Sequence, residues 1–184
     1  SPYLSGIFEL KDYSEFYIEG SRGCLYNCNY CAVTGKFLKY RTFEIDRVIK
    51  EIDFIIKNAK GARSIELCDS DIFHNLERAK KIFNHIEKLN TKVMFNFNTE
   101  ATKINEDTLK LISKPNITIA FGIQTLNREA LNKTNRFFDI EKIKMIISSY
   151  KNSLHNTTQP FVLSCIYGLP GDNHKSFKKT IEFV

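Results

Sequence analysis

Two short segments sort their residues by character with a period of two, and that alternation admits few folds. In residues 93 to 98, Val93, Phe95 and Phe97 share one face and Met94, Asn96 and Asn98 the other, with Glu100 joining the second set if the run extends. In residues 117 to 124, Ile117, Ile119, Phe121 and Ile123 oppose Thr118, Ala120, Gly122 and Gln124. Helical patterns separate these from three further strand candidates, at 16 to 18, 64 to 68 and 161 to 167. Ile45, Val48, Ile49, Ile52, Ile55, Ile56 and Ala59 keep helical spacing up to Gly61, where a stop is expected. Leu76, Ala79, Ile82, Phe83, Ile86 and Leu89 do the same after Asn75, a capping residue type. A short helix is expected from Asn105 to before Pro115, and another over 139 to 151.

Strands alternating with helices predict a parallel sheet, because parallel neighbours need a crossover between them. A parallel sheet covered on both faces carries apolar residues on both. Here one face of each readable strand is polar or small, which predicts helices outside and a concave polar interior. The expected fold is therefore α/β, a partial barrel with about five strands. Glu100 and Gln124 would project into its interior near the carboxyl ends of their strands, where α/β folds place ligands.

Cys24, Cys28 and Cys31 form a Cys-x-x-x-Cys-x-x-Cys run within Glu19-Gly20-Ser21-Arg22-Gly23-Cys24-Leu25-Tyr26-Asn27-Cys28-Asn29-Tyr30-Cys31. Three thiolates this close can ligate one cubane iron-sulfur cluster and leave its fourth iron open, whereas a four-cysteine cluster is complete and mainly carries electrons. Zinc needs a fourth ligand for a closed tetrahedral site. Cys68, Cys165, His74 and His85 are candidates, but no second close Cys or His pair exists to build a finger or ribbon. Five cysteines, an odd number, also fit a disulfide framework poorly. The spacing favours the cluster, with a zinc-stabilised binding module as the non-enzyme alternative. His74 reads as a loop residue, and Cys68 and Cys165 as buried thiols.

With 42% hydrophobic and 26% charged residues, the 184-residue chain has enough apolar content for one packed core. Its net charge of +6 is spread over many lysines without a long basic run, so it reads as a solvated surface rather than a nucleic-acid footprint. No apolar stretch approaches the ~20 residues that span a bilayer. Oxygen-sensitive thiol chemistry points to a reducing cytoplasm.

The cysteine segment resembles the signature of the radical S-adenosylmethionine (SAM) superfamily, and the likeness runs along nearly the whole chain. It implies a partial (β/α)6 barrel, TIM-like and here truncated after about five strands, with a [4Fe-4S] cluster in the loop after the first strand. It also implies that the methionyl amine and carboxylate of SAM chelate the open iron. One electron, from a donor such as flavodoxin or ferredoxin, then releases a 5′-deoxyadenosyl radical that takes a hydrogen from a substrate. Phe121-Gly122-Ile123-Gln124-Thr125-Leu126-Asn127, with Leu131 and Asn135-Arg136, is similar to a stretch shared by oxygen-independent coproporphyrinogen oxidases and cobalamin-binding radical SAM enzymes. Ile166-Tyr167-Gly168-Leu169-Pro170-Gly171-Asp172 resembles their fifth-strand turn. Ser1-Pro2-Tyr3-Leu4-Ser5-Gly6 resembles the linker between the cobalamin-binding and radical domains of enzymes such as the anaerobic magnesium-protoporphyrin monomethyl ester cyclase.

On that resemblance Cys24, Cys28 and Cys31 hold the cluster, and Tyr30, the aromatic residue before the last cysteine, packs by the adenine. Glu100 holds SAM from the third strand, Gln124 lies near the ribose, and Arg136 contacts a carboxylate or the ribose. Asp69, Ser70 and Asp71 stand where relatives carry a Gly-Gly-Glu motif for the SAM amine, with its recognition expected near Asp69 or Ser70, and Ser164 stands where the porphyrinogen oxidases carry an aspartate. From the residues alone, a glutamate ending a strand also serves as a helix-start charge, Gln124 could cap the next helix, and Arg136 could lie on the surface. Residues 1–15 are expected as a linker from a cobalamin-binding domain and 16–184 as a radical SAM core truncated at its C-terminus. The expected activity is methyl transfer or radical oxidative cyclisation in a cobalamin-linked enzyme. The rival is a corrin-free enzyme of the coproporphyrinogen oxidase or tRNA methylthiotransferase type, and the substrate is not legible in either case.

Overall fold

The computed structural model describes residues 1–33, 39–153 and 161–184. Its strands are β1 (Glu15–Ile18), β2 (Ser21–Arg22), β3 (Arg41–Thr42), β4 (Ser64–Leu67), β5 (Met94–Thr99), β6 (Ile117–Gln124) and β7 (Phe161–Cys165). Its helices are α1 (Ile45–Asn58), α2 (Leu76–Lys88), α3 (Glu106–Ile112), α4 (Arg128–Lys133), α5 (Ile140–Ser153) and α6 (His174–Phe183). Five strands form a parallel sheet in the order β1-β4-β5-β6-β7, while β2 and β3 form a separate antiparallel ladder.

The sheet is built on the alternation expected from the sequence. Ile117, Ile119, Phe121 and Ile123 of β6 are buried and the residues between them only half-buried, and in β5 Phe95, Phe97 and Thr99 take the buried face. That face is the helix side: the Phe97 ring meets Phe83 of α2 at 4.8 Å, and Phe83 stacks on Phe73 at 5.8 Å. Ile52 and Ile55 of α1 and Ile82 and Ile86 of α2 complete the same layer. Burying each such side chain contributes about 1.5–3 kcal/mol. One apolar layer thus stabilises the sheet, and its concave face is left free to be polar.

Side-chain caps start the helices where the sequence places them. Asn75 accepts from Arg78 N at 3.0 Å, and Asn105 with Thr108 forms a reciprocal capping box. One charge lies inside the core face of α1. Glu51 is 1% exposed, but Arg47 one turn earlier pairs with it at 3.2 Å, lies over the Phe43 ring at 4.0 Å and donates to Glu19 O at 3.3 Å. The paired charge therefore pins the end of β1 to α1 instead of standing unpaired in the core.

Three local features are not legible in the sequence. The β2–β3 ladder and α4 are too short, at two residues per strand and six residues, to show a period. β7 ends at Cys165 rather than at Tyr167, because the chain then turns through Gly168 and Gly171, both at positive φ (84° and 87°). Within residues 1–15, Tyr3 and Leu10 belong to the hydrophobic core. The Tyr3 hydroxyl donates to Tyr17 O at 2.8 Å and accepts from Tyr17 N at 3.2 Å, occupying backbone groups of the edge strand β1. Among the described residues, no helix is long and apolar enough to cross a membrane.

Candidate cluster and ligand site

The cysteine loop leaves β1 through Gly20. A Cβ on Gly20 would stand 2.5 Å from Asp69 Oδ2, so only glycine lets this carboxylate close on the loop, where it accepts from Gly20 N at 3.0 Å. Burial raises the Asp69 pKa, against the pull of hydrogen bonds from Ser21 and Gly20 and the charge of Arg78. Ser70 Oγ donates to Gly23 O at 3.0 Å. The β2–β3 ladder then joins the two ends of the loop, pairing Ser21 with Thr42.

Two clamps hold the loop between these ends. On one side the Tyr26 hydroxyl donates to Asp71 Oδ2 at 3.3 Å, and Oδ1 of this buried carboxylate accepts from Phe73 N at 3.0 Å and Thr99 Oγ1 at 2.8 Å. His74 packs between the Tyr26 and Tyr40 rings, 5.1 Å from each, with Nδ1 3.5 Å from Asp71 Oδ2. Burial lowers its pKa. On the other side Asn29 N donates to Thr134 O at 3.0 Å, and Asn135 Nδ2 donates to Asn27 O at 3.0 Å. The ends of β4 and α4 thus grip the segment that carries Cys24 and Cys28.

The sequence candidates Cys24, Cys28, Cys31, Tyr30, Asp69, Ser70, Glu100, Gln124, Arg136 and Ser164 all line one cavity of about 620 Å³. Gly122 makes room within it. A Cβ there would meet the ends of two flexible side chains, Gln124 Nε2 at 2.8 Å and Arg136 Nη2 at 3.4 Å, so glycine lets both lie against β6 without shifting. Gln124 itself adopts the left-handed conformation (φ 69°) where the register of β6 with β7 slips, and Ser164 pairs with Gly122 across that ladder. Asn127, not Gln124, caps α4.

Arg136 is no surface residue, since its side chain is 10% exposed; it donates to Gly122 O, lies 3.6 Å from Glu100 Oε1 and places Nη1 3.7 Å from Cys28 Sγ. Glu100 has two roles. Its Oε2 accepts from Thr102 N at 3.0 Å and starts the turn Ala101–Lys103, whereas its Oε1 is buried without a hydrogen-bond donor among the described residues. Arg136 Nε is likewise buried and unbonded. Burial raises the pKa of Tyr30, against the opposing charge of Arg136.

The donor set fits an iron-sulfur cluster better than a single ion. All three cysteines are free, Cys28 buried and the other two half-buried. Among the described residues no three His, Cys, Asp or Glu side chains converge on one point, as a zinc site would require. All three cysteines line one cavity, and a cluster takes one thiolate on each of three separate irons. Cys68 and Cys165 are not the buried thiols expected: Cys68 is exposed and Cys165 half-buried. Cys68 continues the face of Ser64 and Glu66 past the end of β4, which turns it toward the cavity it lines.

The Radical SAM superfamily profile matches residues 18–184. The chain belongs to the radical SAM superfamily. The cofactors of that superfamily are a [4Fe-4S] cluster and SAM, and the cavity carries donor groups for both. The chain is 23% identical over 178 residues to the ribosomal protein uS12 methylthiotransferase RimO of Dictyoglomus thermophilum, covering 91% of this chain and 40% of that protein. It is 26% identical over 167 residues to an uncharacterized methyltransferase of Pyrococcus horikoshii, covering 89% of this chain and 35% of that protein. The chain thus spans about two fifths or less of these curated relatives. The fold is shared with the cobalamin-dependent radical SAM enzyme OxsB (TM-score 0.68, 19% identity, 91% of this chain and 26% of that one). It is also shared with coproporphyrinogen III oxidase HemN of Escherichia coli (TM-score 0.64, 16% identity, 91% and 40%).

Sequence reasoning missed Tyr26, Asp71, His74 and Thr99 as one network. Thr99 left a signal, being a polar residue in register with the apolar face of β5. Asp71 and His74 lie in and beside a turn, where no period marks which side chains are buried. Asp172, in the turn after β7, accepts from Thr125 Oγ1 at 2.9 Å and Asn127 Nδ2 at 3.4 Å, so these motif residues tie β6 to the start of α6.

Proposed function

We propose that this chain is the catalytic core of a cobalamin-linked radical SAM enzyme performing methyl transfer or radical oxidative cyclisation, with its cluster on Cys24, Cys28 and Cys31. When bound, cluster and SAM supply radical hydrogen abstraction, driven by an electron from a carrier such as flavodoxin or ferredoxin. The state of Glu100 carries the reading. Its Oε1 has the Arg136 guanidinium at 3.6 Å but no hydrogen-bond donor among the described residues, and an ammonium such as the SAM amine would supply one. Arg136 lines the same cavity, and its guanidinium would take a carboxylate. Gln124 offers an amide beside it, and Tyr30 a half-buried ring next to the cysteines. Asp69 and Ser70 line the wall while their side chains hold the loop, so they act on the ligand through the position of that loop.

The cobalamin component rests on the opening residues Ser1 to Gly6, whereas the Phe121–Asn127 and Ile166–Asp172 segments and the folds of OxsB and HemN fit both enzyme readings. A corrin-free methylthiotransferase is the second reading, favoured by the likeness to RimO over 91% of the chain. Anaerobic reconstitution should yield about four irons and four sulfides per chain, with an EPR spectrum that changes when SAM is added. Stoichiometric zinc with no response to SAM would overturn the cluster assignment. Corrinoid uptake by the whole protein, read by absorbance, separates the two enzyme readings: none is expected of the second.

A further inference from the structure

Arg136 touches more of this site than a ligand contact requires. One terminal nitrogen reaches Cys28 Sγ at 3.7 Å, and the other bonds Gly122 O and lies 3.6 Å from Glu100 Oε1. The guanidinium keeps its charge there: burial opposes it, but Tyr30, Glu100 and Cys28 together outweigh burial and raise its pKa. Cys24 and Cys31 instead each receive a backbone N–H from two residues on, Tyr26 and Val33, at 3.4 Å. The three cysteines are therefore electrostatically unequal, with a cation beside the most buried one.

A hydrogen bond donated to a cluster thiolate, or a cation beside it, stabilises the more negative reduced state. We propose that Arg136 is a positioning residue with a redox role: through Cys28 it strengthens the cluster's hold on its electron, and through Glu100 it couples that hold to ligand occupancy. The role rests on the cluster proposed above for Cys24, Cys28 and Cys31. The step is a single electron passing from a low-potential donor to the cluster, with no bond or proton moved. Coupling of this kind is reciprocal, so a ligand that engages Glu100 changes the reduction equilibrium through the shared guanidinium.

An EPR-monitored potentiometric titration of the anaerobically reconstituted full chain tests this, with dithionite as reductant, in the presence and absence of SAM. Arg136→Gln should retain iron and sulfide and lose at least tenfold in the reduction equilibrium, a fall of about 59 mV in midpoint for one electron. Arg136→Met removes the cation but keeps an unbranched apolar stem, and should move the midpoint the same way. It decides the matter if Arg136→Gln fails to hold a cluster. The SAM-induced shift in midpoint should shrink in either variant. An unchanged midpoint in cluster-loaded Arg136→Gln, or in Arg136→Met where that variant decides, overturns the redox role and leaves the cluster assignment standing. Unsubstituted protein that takes up no cluster overturns both.

Discussion

Replacing Asp71 tests whether one buried acceptor ties the cysteine loop to the sheet. Asp71 is 1% exposed, with Phe73 N at 3.0 Å and Thr99 Oγ1 at 2.8 Å on Oδ1, and Tyr26 at 3.3 Å on Oδ2. Hydrogen bonds to a charged acceptor contribute about 1.5–3 kcal/mol each, and a buried donor left without one costs about 1–3 kcal/mol. The two short bonds dominate, since 3.3 Å is long for a hydroxyl donor. Asp71→Ala should therefore cost about 3–5 kcal/mol, a large part of the roughly 5–15 kcal/mol that stabilises a typical domain. Asp71→Asn keeps an acceptor for Phe73 and Thr99 and should cost about 1–2 kcal/mol, and Tyr26→Phe about 0.5–1.5 kcal/mol. Urea unfolding followed by circular dichroism would show each loss as a lower midpoint at unchanged slope. In a double-mutant cycle, Tyr26→Phe should cost at least about 0.5 kcal/mol less on the Asp71→Asn background than alone. Strict additivity, or an Asp71→Ala protein within about 0.5 kcal/mol of the unsubstituted one, would refute the tie.

Glu100→Gln and Gln124→Ala should each weaken SAM binding to the reconstituted protein by about 1–3 kcal/mol while cluster content and thermal stability hold; unchanged affinity by calorimetry would remove both residues from the ligand site. Phe97→Ala, which empties a fully packed position against Phe83, should cost about 3–5 kcal/mol in chemical denaturation, whereas Asn96→Ala on the cavity face should stay within about 1 kcal/mol; a reversed order would contradict the facing of β5. Burial holds the His74 pKa below its ordinary value of 6.5, beside Asp71, Lys103 and Asp69. Between its folded pKa and 6.5 the unfolded chain binds more protons. Stability should thus be full above about 6.5 and decline as pH falls through that window, levelling off at the folded pKa. His74→Gln should flatten this slope in melting temperatures across the range, and an unaltered slope would assign it to other groups.

Much of this protein is legible in one dimension because its strands are one-sided. Period two in residues 93 to 98 and 117 to 124 records which face meets the helices, and that is a property of each strand's own geometry. The cysteine spacing is equally local, and so are the caps at Asn75 and Asn105. The alternation even places Glu100 and Gln124 on the cavity side before any contact is known.

Tertiary structure alone decided which polar atoms meet. Arg136 lies 108 residues from Cys28, and Asp71 28 residues from Thr99. Each pair meets because crossovers deliver the carboxyl ends of parallel strands to one rim, where loops without periodicity are packed together. The same holds for the two-residue ladder that joins the ends of the cysteine loop, and for Tyr3, which reaches from the turns of the opening residues to the edge at Tyr17. Periodicity reports a side chain's relation to its own element. Hydrogen bonds between loops depend on where whole layers place the chain, and no window of sequence contains that information.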